Sequence, residues 1–305
     1  NYFLTSFKLW NVFSRKLTTF QIWVLVYDWR LTSSAISSNK SKALFILIVN
    51  SESALRVLII FWIFTFTFLG TEPSSINSES VVVISLILSE SSLELVPSEL
   101  KHHTSVVSHA RKLGKLPSEI LLDNSWHFAA MKGIKNEIKR GRPDLVHFSI
   151  LEATTIPLYL QNKMKLFVHT LDDKVISFGE NVHIPKSYHR FEGVIEKLYQ
   201  EKKITTKDGD LLLKIEEKTF SELIDEINPS KVIGFSTKGT KSTYEKIATE
   251  ITDDTCIVLG GFQKGHFSDS IKNKITDLYS VGDESFEGHV VVARMLYEYE
   301  KTIFM

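Results

Sequence analysis

Residues 256–265, CIVLGGFQKG, join an apolar run to a glycine-rich loop. Successive apolar residues are typical of a buried strand in a parallel sheet. Two further strand-like runs end similarly: KVIGF is followed by residues 236–239, and TDLYS by residues 281–286. Open α/β sheets bind their ligands beyond the carboxyl ends of such strands. The three loops are therefore predicted to form one ligand site.

The glycine-rich loop by itself has two interpretations. Glycine lets the backbone approach a flat ligand and present its N–H and C=O groups to an adenine edge. GGFQKG matches neither the GxGxxG nor the P-loop pattern, however, and a tight turn explains it equally well. The presence of three comparable loops is what favours a ligand.

Outward from this stretch, strand and helix patterns alternate from Val81 to the end of the chain. The run VVVISLIL at 81–88 predicts a fully buried parallel strand. Other predicted strands are 119–122, 145–150, 165–169, 175–178, 231–236, 255–259 and 277–281. Predicted helices are 97–113, 125–139, 191–200, 219–227, 242–250 and 286–299. The alternation predicts an α/β fold with a mostly parallel sheet flanked by helices.

Composition excludes some classes of protein. The 305 residues carry 36 basic and 36 acidic side chains, so any basic surface must be local. The single cysteine, Cys256, excludes an internal disulfide framework and a cysteine-rich zinc module, and it suits a reducing cytoplasm. The histidines lack the spacing of a metal site, and we expect no metal.

Residues 1–77 differ in character, with seven basic and three acidic residues among many aromatic, aliphatic and serine residues. Their longest uncharged run, VLIIFWIFTFTFLG at 57–70, is shorter than the roughly 20 residues of a membrane span, so membrane association is not expected. The first methionine is Met131. We expect residues 1–77 to be a non-native or poorly ordered extension and 78–305 to form the α/β domain; a membrane anchor is the alternative.

Two basic segments could bind phosphate. Helical spacing would place Lys132, Lys135 and Lys139 on one face, extended by Arg140 and Arg142. The second segment carries His183, Lys186, His189 and Arg190 around Tyr188, a residue able to stack on a base. A solvated surface is the alternative interpretation of both segments.

Other polar residues have structural explanations. Asp144 is expected to pair with Arg142, residues 123–125 to begin a helix, and Thr219 with Glu222 to form a capping box. Asp172 and Asp173 are expected in a hairpin turn. His147 and His169 are predicted in strands as core residues, as is Cys256.

Six segments, in order and spacing, resemble one known family. They are LELVPSEL (93–100), ILLDNSWHFAAM (120–131), RGRPDLVHFSIL (140–151), FVHTLDDKVISF (167–178), HIPKSYHRFEGVIEKL (183–198) and LGGFQKGHF (259–267). The chain from Val81 onward resembles the ribosome-biogenesis pseudouridine N1-methyltransferases, which belong to the SPOUT superfamily of trefoil-knot methyltransferases. Residues 1–77 lie outside the resemblance.

The resemblance implies a knotted fold, a homodimer, and three loops that hold S-adenosylmethionine. The implied cofactor residues are Thr237, Lys238, Gly260, Gly265, Val281, Gly282, Asp283, Glu284, Ser285 and Phe286. The implied contacts to small-subunit ribosomal RNA are Arg140, Arg142, His183, Lys186 and Arg190. His183 and Lys186 stand where the family pattern has arginine, which removes bidentate contacts to phosphate.

The implied reaction is methyl transfer to N1 of a pseudouridine in 16S/18S-type ribosomal RNA, during small-subunit biogenesis in the cytoplasm. N1 carries a proton that must leave, but the sequence identifies no general base beyond Asp172, a polar turn residue. Holding the nucleophile and the methyl group in line would supply much of the rate, with the base flipped into the site. Alternatives are a non-catalytic rRNA-binding assembly factor and a knot methyltransferase acting on tRNA.

Overall fold

The computed structural model describes residues 83–305, so the predictions for residues 1–77 lie outside the described part. Within that range eight strands form one sheet: β1 Ile84–Ser91, β2 Met164–Thr170, β3 Lys174–Phe178, β4 Lys203–Thr205, β5 Leu211–Glu217, β6 Lys231–Lys241, β7 Thr255–Gly260 and β8 Asp277–Ser280. Their order in the sheet is β4-β5-β3-β2-β1-β7-β6-β8. Strands β2, β1, β7, β6 and β8 run parallel, while β3, β5 and β4 extend the sheet in antiparallel fashion. The predicted mostly parallel α/β sheet is confirmed.

Strand β1 lies at the centre of the sheet because its sequence can be buried on both faces. All eight of its residues are buried, and Leu86 pairs with Leu166 of β2 and Ile257 of β7. Leu86 and Leu88 join one apolar cluster, whereas Ile87 joins the cluster on the opposite face. This alternation follows from the two-residue period of a strand, and the predicted buried parallel strand is confirmed.

Helices cover both faces. Their bounds are α1 Thr104–Leu113, α2 Asn124–Met131, α3 Pro143–Thr154, α4 Pro157–Leu160, α5 Tyr188–Glu201, α6 Phe220–Ile227, α7 Tyr244–Thr249, α8 Asp269–Lys272 and α9 Gly288–Phe304, with 3-10 turns at Ser98–Leu100 and Glu137–Lys139. Helices α3, α5, α7 and α9 pack against the larger apolar cluster, and α6 and α8 pack against the smaller one. Between residues 83 and 305, no helix is both long and apolar enough to cross a bilayer.

Several predicted elements are wrong. Residues 145–150 lie in helix α3, so His147 is a helical residue; Pro143 starts this helix, and Val146 and Ile150 bury one face of it. Residues 119–122 form only an isolated bridge between Leu95 and Leu121. The helix predicted over 125–139 ends at Met131, because the next residue is extended, and strand β5 was not predicted.

Local predictions about turns and caps are confirmed. Thr219 and Glu222 form a reciprocal capping box at the start of α6. Asp172 and Asp173 occupy the turn between antiparallel strands β2 and β3, and Asp173 adopts a left-handed φ of 53°. His169 lies buried in β2, and Cys256 is fully buried in β7, where burial raises the pKa of its thiol.

Candidate active site

The three predicted loops meet in one cleft at the carboxyl edge of the parallel strands. Strand β6 pairs with Tyr279 of β8 at Phe235 and again at Thr240, so residues 236–239 leave the ladder as a loop. This loop, the segment after β7 and the segment after β8 line a single cleft. Of the predicted cofactor residues, those that line it are Thr237, Gly260, Gly265, Val281, Gly282, Glu284, Ser285 and Phe286.

Two predicted cofactor residues do not line the cleft. The Asp283 carboxylate pairs with the Lys241 ammonium, and both side chains are exposed. The backbone N–H of Lys238 donates to Ser236 Oγ, 3.3 Å away, within the loop that interrupts β6. Both belong to loops that border the cleft, but neither residue is part of the cleft lining.

The segment after β7 is pressed against the end of β1. The N–H of Gly261 donates to Ser89 O and its carbonyl accepts from Ser92 N–H, both at 2.8 Å. A β-carbon on Gly261 would lie 2.0 Å from Ser91 Oγ, so only glycine permits this approach. Gly265 has a φ of +117°, which an L side chain rarely adopts. The fold itself therefore requires glycine at positions 261 and 265, whether or not the loop binds a ligand.

A buried ion pair lies beneath this segment. Lys139 Nζ donates to Glu90 Oε2 at 2.8 Å, and both side chains are about one-tenth exposed. The Lys139 ammonium also lies 4.6 Å from the centre of the Phe262 ring. The prediction of Lys139 on an exposed helical face with Lys132 and Lys135 is wrong, since the helix ends before it and Lys139 folds inward.

The two arginines of RGRPD are both engaged by carboxylates. Arg140 donates through Nε and Nη2 to Glu94, at 2.7 and 2.5 Å, and Glu94 is 2% exposed. Arg142 donates through Nε and Nη2 to Asp144, both at 2.8 Å, which confirms the expected pair. These hydrogen bonds raise the pKa of both guanidinium groups.

The second basic segment is anchored from two sides. The Tyr188 hydroxyl donates to Asp123 Oδ2 at 2.7 Å, and His147 Nε2 donates to the Pro185 carbonyl at 2.7 Å. Burial is the main reason why the pKa of Tyr188 is raised, and the hydrogen bond to Asp123 raises it further. Burial lowers the pKa of His147. The predicted RNA contacts in and around this anchored stretch are all exposed: His183, Lys186 and Arg190.

Asp123 connects the two basic segments. It caps helix α2 by accepting from Ser125 N–H at 2.7 Å, which confirms the predicted helix start, and it holds Tyr188. The next N–H, of Asn124, donates to Gly141 O at 2.8 Å. The segment around Arg142 and the segment around Tyr188 therefore share one support. Arg142 is also within electrostatic reach of Glu287, which lines the cleft.

Comparison with known proteins decides the family. Residues 86–300 match the family of EMG1/NEP1 methyltransferases. The chain belongs to this family. It is 36% identical to the ribosomal RNA small subunit methyltransferase Nep1 of Staphylothermus marinus, over 70% of this chain and 93% of that protein. It is 34% identical to the ribosomal RNA small subunit methyltransferase Nep1 of Thermococcus sibiricus, over 72% of this chain and 99% of that protein.

A solved structure of the same family matches the fold. The crystal structure of Archaeoglobus fulgidus Nep1 bound to S-adenosylhomocysteine aligns with a TM-score of 0.64 and 32% identity, covering 71% of this chain and 97% of that one. The predicted resemblance and SPOUT-class α/β fold are thereby confirmed. For this EMG1/NEP1 chain, the roles of individual site residues stay predictions.

Asp172 lies outside the cleft of this EMG1/NEP1 methyltransferase. Its carboxylate accepts from the Thr170 hydroxyl at 2.6 Å and from the Lys174 ammonium, within the hairpin turn. These contacts explain the residue structurally. Residues that sequence reasoning missed are Glu90 and Glu94, whose signal was the placement of acids directly after an apolar strand.

Proposed function

We propose that this protein transfers a methyl group from S-adenosylmethionine to N1 of a pseudouridine in small-subunit ribosomal RNA, as part of small-subunit biogenesis. The observation that carries the proposal is the meeting of three strand-end loops in one cleft, in a chain of the EMG1/NEP1 family. The related Archaeoglobus fulgidus protein bound to S-adenosylhomocysteine supports the choice of cofactor. The relatives' names support the choice of RNA.

The cleft has the character of a nucleoside site. The Phe262 ring packs against Gly260 and the Phe286 ring against Gly282, since a β-carbon on either glycine would come within 2.7 Å or 2.6 Å of its ring. Both rings line the cleft and offer aromatic surface to a flat ligand. We propose that the cleft-lining residues hold the cofactor, with Lys238 and Asp283 supporting their loops. The bound cofactor would supply an electrophilic methyl group on a sulfonium.

We propose that the RNA is held by the exposed residues His183, Lys186 and Arg190 and by Arg142. Arg142 uses only Nε and Nη2 for Asp144, and within residues 83–305 its Nη1 has no hydrogen-bond partner. Arg140 is a weaker candidate, because a phosphate would compete with Glu94 for its guanidinium.

The residues would act mainly by positioning. Two bound reactants held in line convert a bimolecular step into an effectively unimolecular one. The N1–carbon bond forms as the carbon–sulfur bond breaks, and the N1 proton passes to solvent or to an acceptor in the RNA. Asp172 stays a candidate acceptor only if the substrate reaches the β2–β3 turn. We further propose that the protein is a homodimer whose two subunits both contact the RNA. We propose that it works in the cytoplasm.

Methyl transfer to a short hairpin that contains one pseudouridine tests the proposal. We expect transfer to this RNA and none to the same hairpin with uridine. Gly260→Trp should abolish transfer by filling the cleft, and Arg142→Ala should weaken RNA binding. Lys203→Ala is the control, because this exposed lysine lies on β4, at the opposite edge of the sheet.

Each other outcome contradicts a part of the proposal. Methylation of the uridine hairpin would refute the pseudouridine assignment. Hairpin binding by a protein with no affinity for S-adenosylhomocysteine would favour a non-catalytic assembly factor. Full activity in both Gly260→Trp and Arg142→Ala would refute the site.

A further inference from the structure

We propose that Lys139 and Glu90 are positioning residues of the cofactor site: together they set the shape of residues 260–268, the loop that follows β7. This inference rests on the proposed cofactor cleft and adds a role for two residues that do not line it. Both are charged and buried, and neither is used by the chemistry described above.

The ion pair contacts the loop at three places. The N–H of Ser268 donates to Glu90 Oε2 at 3.2 Å, the same oxygen that accepts from Lys139. The Lys139 ammonium lies over the ring of Phe262, which lines the cleft. A β-carbon on Gly265 would lie 3.2 Å from Lys139 Cε, so the lysine stem fills the space beneath that glycine.

Glu90 is itself fixed in an unusual backbone conformation. Its φ is +50°, and the register of β1 against β2 shifts between Leu88 and Ser91, which places Glu90 in a bulge. Its N–H donates to His169 Nδ1 at 3.3 Å, and His169 Nε2 donates to Asp173 at 3.2 Å. Bulges at strand ends redirect side chains, and here the bulge turns a carboxylate toward the loop.

Burial of this pair makes its effect on the loop strong. Two charges removed from water are tolerated only when they pair and form further hydrogen bonds, which Ser268 provides. A cation over an aromatic ring also attracts more strongly when water is excluded. The pair therefore favours one arrangement of Phe262, Gly265 and Ser268 over the alternatives open to a glycine-containing loop.

Calorimetric titration with S-adenosylhomocysteine, alongside thermal unfolding, tests the inference on the full chain. We expect Lys139→Met to bind this ligand about tenfold more weakly, because Phe262 loses its cation. In the double variant Lys139→Met/Glu90→Gln no buried charge is left unpaired, so the melting temperature should return toward the parent value. Ligand affinity should stay weak. In turnover, KM for S-adenosylmethionine should rise while KM for RNA stays unchanged.

Glu94→Gln is the matched control, since it also removes one charge from a buried ion pair, the one with Arg140. It should bind the ligand within about twofold of the parent. Recovery of affinity in the double variant in step with its stability would overturn the inference, as would parent affinity in Lys139→Met or an equal loss in Glu94→Gln.

The outcome of Gly260→Trp separates this inference from the proposed cofactor site. If Gly260→Trp binds S-adenosylhomocysteine like the parent, the cleft is not the site and the positioning role falls with it. If Gly260→Trp abolishes binding while Lys139→Met leaves it intact, the cleft stands and only the positioning role is refuted.

Discussion

Replacing Arg140 by methionine should destabilise the protein strongly at neutral pH. Glu94, which accepts two hydrogen bonds from Arg140 at 2.7 and 2.5 Å, is 2% exposed and cannot turn to water. Removing one partner of such a pair leaves a buried uncompensated charge, at a cost of about 3–5 kcal/mol. For a domain of this size, that corresponds to a fall in melting temperature of about 10 °C.

The loss should shrink in acid. Burial raises the pKa of Glu94 from its usual 4.5, and Arg140 offsets part of this rise. Without Arg140 the pKa in the folded state rises further. A carboxyl whose pKa is raised on folding binds its proton more tightly in the folded state, so the folded state is favoured at low pH and disfavoured as pH rises through that pKa. The difference between variant and parent should therefore be largest near neutral pH.

Urea unfolding followed by circular dichroism, at about pH 7.5 and about pH 5, measures this difference. Comparing variant and parent at the same pH cancels the titration of other groups. Arg140→Met/Glu94→Gln should regain most of the lost stability at pH 7.5, because no buried charge is left unpaired. An equal loss at both pH values, or a double variant as unstable as the single one, would refute the reasoning.

Three further predictions concern single residues. In chemical denaturation, Gly265→Ala should lower the free energy of unfolding by about 1–3 kcal/mol, because the φ of Gly265 is +117°. In the same measurement Gly193→Ala should raise the free energy of unfolding by about 0.5–1 kcal/mol, because Gly193 lies inside α5 with open space around it. Tyr188→Phe removes the hydrogen bond to Asp123 and should weaken binding of the RNA hairpin several-fold, measured by filter binding, with S-adenosylhomocysteine affinity unchanged. Burial lowers the pKa of His127 from 6.5 to about 4. The neutral imidazole therefore contributes to the free energy of unfolding above pH 6.5, and this contribution is lost as the pH falls toward 4. His127→Gln should make the free energy of unfolding less dependent on pH between 6.5 and 4.

The architecture of the central sheet could be predicted because its strands are long apolar runs that end in glycine or polar loops. Residues 145–150 could not be assigned reliably, because a short apolar run has no period that separates strand from helix. The missed signal was Pro143, which is favoured in the first turn of a helix. Strand β5 was announced only by an Asp-Gly turn at residues 208–209, before a run in which lysine and glutamate interrupt the apolar pattern.

The position of Lys139 could not be predicted from spacing, since spacing assumes that the helix continues. The helix ends at Met131, Gly133 has a φ of +83°, and the chain turns back toward β1. What brings Lys139 inward is a buried carboxylate 49 residues away in sequence. Such long-range pairs form only in the tertiary fold. The local sequence therefore does not distinguish the buried Lys139 from the exposed Lys132 and Lys135.

The end of β1 accounts for the arrangement of the whole site. Residues 89–94, SESSLE, form the last part of β1 and the residues just after it, and all six are buried. Buried polar groups are costly unless they find partners. Within the described residues the Ser89 hydroxyl has no partner, whereas the partners of Glu90, Ser92 and Glu94 come from both functional regions. Glu90 binds Lys139 and the loop after β7, whereas Ser92 accepts from the N–H of Arg142 at 2.6 Å and Glu94 binds Arg140. The proposed cofactor loop and the proposed RNA segment are thus both fixed to the end of β1, and Lys139, just before Arg140, also contacts that loop directly.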